Sequence, residues 1–492
     1  MDNAAENGKL PEGWEWAKLV DAIAPSNAKI EPSKCADSAY LSLEHIEAHT
    51  GRIIGSGKGA DVESTKAVFH AGDVLYGKLR PYLNKVCIPN FDGICSTDIL
   101  VFPKSRCIEN QFLMHFLMQP SVVEYANHNS KGIQLPRIAF AKLGELQVPV
   151  PPLAEQHRIV GKVEALLAGV NAARQRLAKL PAILKRFRQS LLAAACSGRL
   201  TADWRQEKPG VERHPCNEKE PSVLDEWSDL PEIPNSWCWT TLRAVSDYQG
   251  GYAYLSKRFT EEDTGNQVLR IGNVRPGYVD ESISPVFIND EYAEETERFE
   301  LQPNDILISQ TGTRYKRDYG FVGLVRESSR RLFLNQRVAR LRCNAERIEP
   351  RYVFSWLQTE PYRDCFFKDE TGNVNQGNVG AKPLKTGPIP LPPAPEQHEI
   401  VRRVEALFRL AGAIEKRLAT ATARADKLMQ AILAKAFRGE LVPTEAELAR
   451  REGREYEPAS LLLENVRPQQ ASTAHGRKTS RNRDKKENRT YR

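Results

Sequence analysis

Pro151-Pro152-Leu153-Ala154-Glu155-Gln156-His157-Arg158-Ile159-Val160 returns 241 positions later as Pro392-Pro393-Ala394-Pro395-Glu396-Gln397-His398-Glu399-Ile400-Val401. The match runs without a gap from 148–201 to 389–442, with roughly 23 of 54 pairs identical. Self-similarity on this scale marks a duplicated architecture. A shorter echo lies upstream of each copy: Leu10-Pro11, Trp14 and Trp16 parallel Ile233-Pro234, Trp237 and Trp239. The chain therefore divides into 1–150, 151–200, 201–232, 233–391, 392–442 and 443–492.

The duplicated segments read as long helices. Ile159, Val163, Leu166, Val170, Leu177, Leu184 and Leu191 lie on a 4,3 spacing, as do Ile400, Val404, Leu407, Ile414, Leu418, Leu428 and Ile432. An unbroken heptad stripe calls for a partner helix, and the other copy is the nearest one. Antiparallel pairing gives a pseudo-two-fold internal repeat. The competing reading is that each helix packs on its own neighbouring domain. Proline pairs suit a first turn, Glu155 and Glu396 sit at the positive end of the dipole, and Gly198 and Gly439 stand where a glycine cap belongs. About 40 residues make a rod of roughly 60 Å. Pro181 falls inside the first rod and is expected to kink or interrupt it.

Segments 1–150 and 233–391 differ in pattern. Short β-branched and aromatic runs such as Val74–Tyr76, Ile99–Phe102, Ile306–Ser309 and Val338–Leu341 alternate with Gly, Asn, Asp and Pro, which reads as strands and turns. A helical stretch follows near 109–119 and 350–359. Each is read as an α+β domain with a strongly bent sheet. Residues 201–232, acidic and proline-containing, read as an irregular connector.

The 492 residues carry a formal charge of +7, but its location matters more than its sum. The two domains contribute −2 and 0, the first rod +7, the connector −5, and the tail His475–Arg492 +6. The tail has almost no apolar residue and reads as disordered. No stretch approaches a membrane span. The first ten residues lack the basic and apolar regions of a secretory signal. Nine isolated cysteines without a CxxC pair point away from disulfide frameworks and zinc modules, and towards a reducing cytosol.

Catalytic patterns are missing. Gly55-Ser56-Gly57-Lys58-Gly59 fails the phosphate-loop spacing, and neither a nucleophile elbow nor a zincin helix occurs. The repeated His157 and His398 have no local nucleophile or relay partner. No catalytic residue and no metal ligand is assigned.

Polar clusters after the domain strands suit DNA instead. They are Lys78, Arg80, Tyr82 and Lys85 in the first domain, and Gln310, Thr311, Thr313, Arg314, Tyr315, Lys316 and Arg317 in the second. A further cluster, Ser130, Lys131, Gln134 and Arg137, is matched by Asn373, Asn375, Gln376 and Asn378. Arg and Gln pair with guanine and adenine edges, while Lys and Thr hold phosphates.

The order Leu-Pro-Glu-Gly-Trp-Glu-Trp (10–16), variable domain, Pro-Pro-x-x-Glu-Gln helix, then the whole pattern again, resembles the specificity (S) subunit of type I restriction–modification enzymes. Asp305–Ser309 and Leu334-Asn335-Gln336-Arg337-Val338 are similar to recurring features of its target recognition domains, which adds Gln336 to the DNA candidates. The resemblance implies two target recognition domains alternating with two conserved helical spacers. It also implies a bipartite, asymmetric double-stranded DNA site, two methyltransferase (M) subunits and restriction (R) subunits as partners. S-adenosylmethionine, ATP and Mg2+ would be held by those partners and none by this chain, with no membrane association and a cytoplasmic location. Three other readings stay open: the specificity subunit of a type IIB-like bifunctional enzyme, a coiled-coil scaffold with two protein-binding modules, and a self-contained enzyme.

Overall fold

A computed structural model describes residues 9–210, 230–373 and 375–464. The chain forms two compact units, Met1–Ala178 with Ala419–Arg492, and Lys179–Leu418. Each unit thus holds one domain, the first half of the helix that follows it, and the second half of the other helix.

Both long helices form, Leu153–Cys196 and Ala394–Phe437. Pro181 does not interrupt the first. It sits on an exposed face, where water can satisfy the carbonyl that its missing N–H leaves free. The halves run antiparallel. In unit 1, Arg174 reaches Asp426 (3.2 Å) and Met429 Sδ (3.3 Å), while Ile159 and Val163 share a core with Ile432 and Phe437. In unit 2, Arg188 pairs with Glu415 at 2.9 Å, and Leu191 and Leu192 pack with Ile400, Val401 and Val404.

The seam departs from a strict heptad. Ile159, Val163, Val170, Leu184, Leu191, Ile400, Val404 and Ile432 are buried, but Leu166, Ile414 and Leu428 are exposed, and Leu177, Leu407 and Leu418 are half-buried. Contacts follow Val163, Leu167, Val170 and Arg174, and the equivalent Val404, Phe408 and Glu415, with Ala411 buried between the last two. Eleven residues over three turns is the period of a nearly straight helix, which drifts about 20° per heptad from the 3.5 repeat. The heptad reading therefore slips off the contact face in mid-helix. From 171 to 183 and from 412 to 431 no residue is fully buried.

The helix ends have a second job. Leu191, Leu192, Ala195 and Cys196 join the core of the second domain. Phe437 packs on Phe112 and Phe116 of the first, with ring centroids 4.9 and 5.6 Å apart. Helix pairing and domain packing thus both occur. Gly198 (φ 76°) and Gly439 (φ 73°) end the helices in the left-handed region, and a Cβ on either would collide with Pro234 or Pro11.

Each domain consists of several small sheets rather than one bent sheet. Its first and last strands pair antiparallel, Glu15–Lys18 with Gln147–Val150 and Cys238–Thr241 with Pro388–Leu391, so the domain's ends meet at the helices. In the first domain a three-stranded sheet centres on Val74–Gly77, beside a five-stranded one. In the second, Ile306–Ser309 lies within a four-stranded sheet with Val338–Cys343 as neighbour. The connector also departs from expectation at its start. Ala202–Glu207 is helical, with Trp204 buried. His214, Cys216 and the tail His475–Arg492 lie outside the described residues. The C-terminal helices Glu445–Glu452 and Ala459–Glu464 complete unit 1, with Ala459, Leu462 and Leu463 in its core.

Candidate nucleic-acid interface

The repeated Glu-Gln pair acts as a clamp. In unit 1, Trp14 Nε1 donates to Glu155 Oε1 (2.9 Å) and the backbone N–H of Glu445 donates to Glu155 Oε2 (2.8 Å). In unit 2, Trp237 Nε1 donates to Glu396 Oε2 (2.8 Å), while Thr201 Oγ1 (2.6 Å) and Arg205 donate to Oε1. Each glutamate thus ties the domain's opening tryptophan to the segment that follows the other helix. Burial raises the Glu155 pKa, against the Trp14 and Glu445 hydrogen bonds. The next residue holds the domain helix: Gln156 Oε1 accepts from Glu109 N–H (2.7 Å), and Gln397 Oε1 from Glu349 N–H (2.8 Å). His157 and His398 are exposed, and His398 Nδ1 lies 2.8 Å from the Ala394 carbonyl.

On this frame, structure joins clusters that sequence placed far apart. In the first domain the loop after Val74–Gly77 meets the hairpin 130–138. Arg80 N–H donates to Pro136 O (2.7 Å), Ile138 N–H to Lys78 O (3.0 Å), and Leu79 bridges Arg137. Lys131 and Arg137 exchange both backbone bonds at 2.9 Å, closing the hairpin. Arg80, Tyr82, Lys131 and Gln134 are exposed. Among the described residues, no side-chain partner holds Lys78, Arg80, Lys131 or Gln134. Two candidates are engaged in the free protein. Arg137 is held by Asp98 at 3.0 and 3.2 Å, and Lys85 donates to the Leu43 carbonyl.

The second domain repeats the arrangement. Thr311–Gly312 pairs with Gln376–Asn378, which pairs with Thr371–Asn373. Gln310 exchanges bonds with Val379: its backbone carbonyl accepts from Val379 N–H at 2.9 Å and its Nε2 donates to the Val379 carbonyl at 3.0 Å. Gln310 N–H donates to Arg337 O (2.9 Å), which brings the exposed Gln336 alongside. Asn375, Gln376, Asn378 and Lys316 are exposed. Thr313 bonds through its backbone to Asp318, Arg314 donates to Gly372 O, and Arg317 pairs with Asp364 at 2.7 Å.

Several exposed residues stand beside these clusters that the sequence reading does not include among its candidates: Arg337 at φ 69°, Tyr252, and Ile133 and Leu135 on the first hairpin. An apolar residue standing between Gly132 and Gln134 in a polar run was the available signal for Ile133. Among the described residues, no group of three or more His, Cys, Asp or Glu comes together as a metal site, and no helix is long and apolar enough to cross a membrane.

Two unlike polar faces, each on one copy of a duplicated helical frame, define a protein of paired recognition modules. Residues 36–182 and 234–421 match the model of the type I restriction modification DNA specificity domain, and the chain belongs to that family. It is 32% identical over 499 residues to the EcoKI type I restriction enzyme specificity subunit of Escherichia coli strain K12, covering 96% of this chain and 99% of the relative. It is 33% identical over 376 residues to the EcoBI specificity subunit of Escherichia coli, covering 75% and 74%. The fold matches a chain from a structural study of type I R-M complex assembly and conformational transition (TM-score 0.67, 24% identity, 88% of this chain and all of the other). It also matches the HsdS subunit from Thermoanaerobacter tengcongensis (TM-score 0.51, 24% identity, 89% and 99%).

Proposed function

We propose that this chain is the non-catalytic, cytoplasmic subunit that selects the DNA sequence for a type I restriction–modification complex, each unit reading one half of a bipartite, asymmetric double-stranded site. The observation that carries this is the repeated juxtaposition of a post-strand loop with a polar hairpin on two domains that differ more than the helical frames that carry them. Frames of matching geometry suit identical partners, and unlike faces suit unlike half-sites. Lys78, Arg80, Lys131 and Gln134 form the first reader. Gln310, Thr311, Lys316, Gln336, Asn375, Gln376 and Asn378 form the second. Arg137 and Arg317 join on exchanging their carboxylates for DNA.

Two M subunits dock along the helices, and R subunits join through the complex. Leu166 and Leu428 in unit 1, and Ile183, Phe187, Leu410 and Ile414 in unit 2, are exposed apolar side chains on these helices. Contiguous apolar surface marks interaction sites, and these six side chains are where the proposed docking puts it. S-adenosylmethionine, ATP and Mg2+ belong to the partners. Methylome sequencing of a host expressing this chain with its M partner tests the reading. Two unlike half-sites with a fixed gap are expected, and a single continuous motif or none contradicts it. In a binding assay with M present, affinity should fall steeply with salt as phosphate contacts are screened.

A further inference from the structure

The hairpin of the first reader carries a feature that folding does not explain. Ile133 is 102% exposed and Leu135 46%. Both stand at a tip whose backbone is fixed on each side. Lys131 and Arg137 close the hairpin reciprocally, Ser130 Oγ donates to Ala126 O (2.7 Å), and Arg80 N–H holds Pro136. Gly132 turns the chain at φ 104°. A single exposed aliphatic residue is ordinary on a protein surface. Here, however, it projects from a pinned hairpin, between Lys131 and Gln134, which have no side-chain partner among the described residues, on the loop whose Pro136 is held by Arg80. A DNA groove offers two kinds of base-edge contact, hydrogen-bonding atoms and the thymine methyl group, and aliphatic side chains recognise only the latter.

We propose that Ile133 is a specificity residue of the first reader that contacts the C5-methyl of a thymine in the major groove, with Lys131 and Gln134 positioning the hairpin around it. This rests on the reading of the first domain as a DNA reader. An apolar wedge driven between base steps is the competing use of the same residue, and the test separates the two.

The test uses the full chain assembled with its M subunits on duplexes bearing the methylated site. Each thymine of the first half-site is replaced in turn by uracil, which removes only the methyl group. One replacement should weaken binding by the wild-type complex about fourfold, the size of burying one methyl group. The same replacement should leave the Ile133→Ala complex unaffected. Ile133→Val, which keeps a branched aliphatic contact, should retain part of the discrimination. Equal loss of affinity by Ile133→Ala on thymine and uracil duplexes would overturn the proposal in favour of a wedge. So would a half-site without a methyl-sensitive thymine, or unchanged binding by the variant. Any of these outcomes with site-specific, salt-sensitive binding intact leaves the DNA-reading function standing. Loss of sequence-specific binding in the wild-type complex would remove both.

Discussion

The two units use one clamp with different fillings. Glu396 is bound by three side chains, Trp237, Thr201 and Arg205, whereas Glu155 meets one side chain and a backbone N–H from Glu445. At the seam, Arg174 of unit 1 takes the position that Glu415 takes in unit 2, and Met429 takes that of Arg188. Beneath the domain helix, unit 1 buries His115 where unit 2 has Ser355, whose hydroxyl donates to the Arg351 carbonyl at 2.8 Å. Duplication preserved the geometry of each joint while its chemistry drifted. What is shared is the placement of backbone and aromatic groups, and what is free to vary is which partner satisfies them.

The largest effect should come from the clamp of unit 2. Glu396→Ala leaves the Arg205 cation and Trp237 indole without their buried acceptor and should lower that unit's stability by about 3–5 kcal/mol, read as lost hydrogen-exchange protection in unit 2. Next is acid sensitivity in unit 1. Burial lowers the His115 pKa from 6.5 to about 4, and among the described residues neither ring nitrogen has a hydrogen-bond partner. Between those values the unfolded chain binds more protons than the folded one. Stability therefore rises with pH across the window and falls as pH drops through it, by about 3 kcal/mol at most. His115→Leu should flatten that slope in unit 1, as followed by exchange protection at pH 4 to 7, and an unchanged slope would assign it elsewhere.

Glu155→Ala should cost unit 1 about 1–3 kcal/mol, since the loss is of neutral donors. A loss equal to that of Glu396→Ala would break the contrast between the clamps. The exposed seam pairs matter least: a double-mutant cycle on Arg188 and Glu415 should return about 0.2–1 kcal/mol. Removing residues 475–492 should reduce salt-sensitive nonspecific DNA binding and leave the methylated motif unchanged.

The sequence made the duplication, the helices and their antiparallel pairing legible, because each rests on local spacing repeated twice. It misread the middle of the seam, since Leu166 and Leu428 obey a heptad that a straighter helix does not. It placed Glu155 and Glu396 at the helix dipole, whereas their work is to hold tryptophans more than a hundred residues away. Such long-range partners leave no local trace. The polar clusters were visible as loops, but that Lys78–Lys85 meets 130–138, and Gln310–Arg317 meets 371–378, depends on strand pairing across 50 or more residues. The engagement of Arg137 by Asp98 was invisible for the same reason.

The proposed function has each unit reading its own half of the site. Its most direct test is methylome sequencing of a host carrying the Arg80→Ala, Gln134→Ala double variant with the M partner. Altered or relaxed bases in one half of the motif, with the other half and the gap unchanged, is the predicted result. Changes in both halves, or an unaltered motif at full methylation, would contradict it.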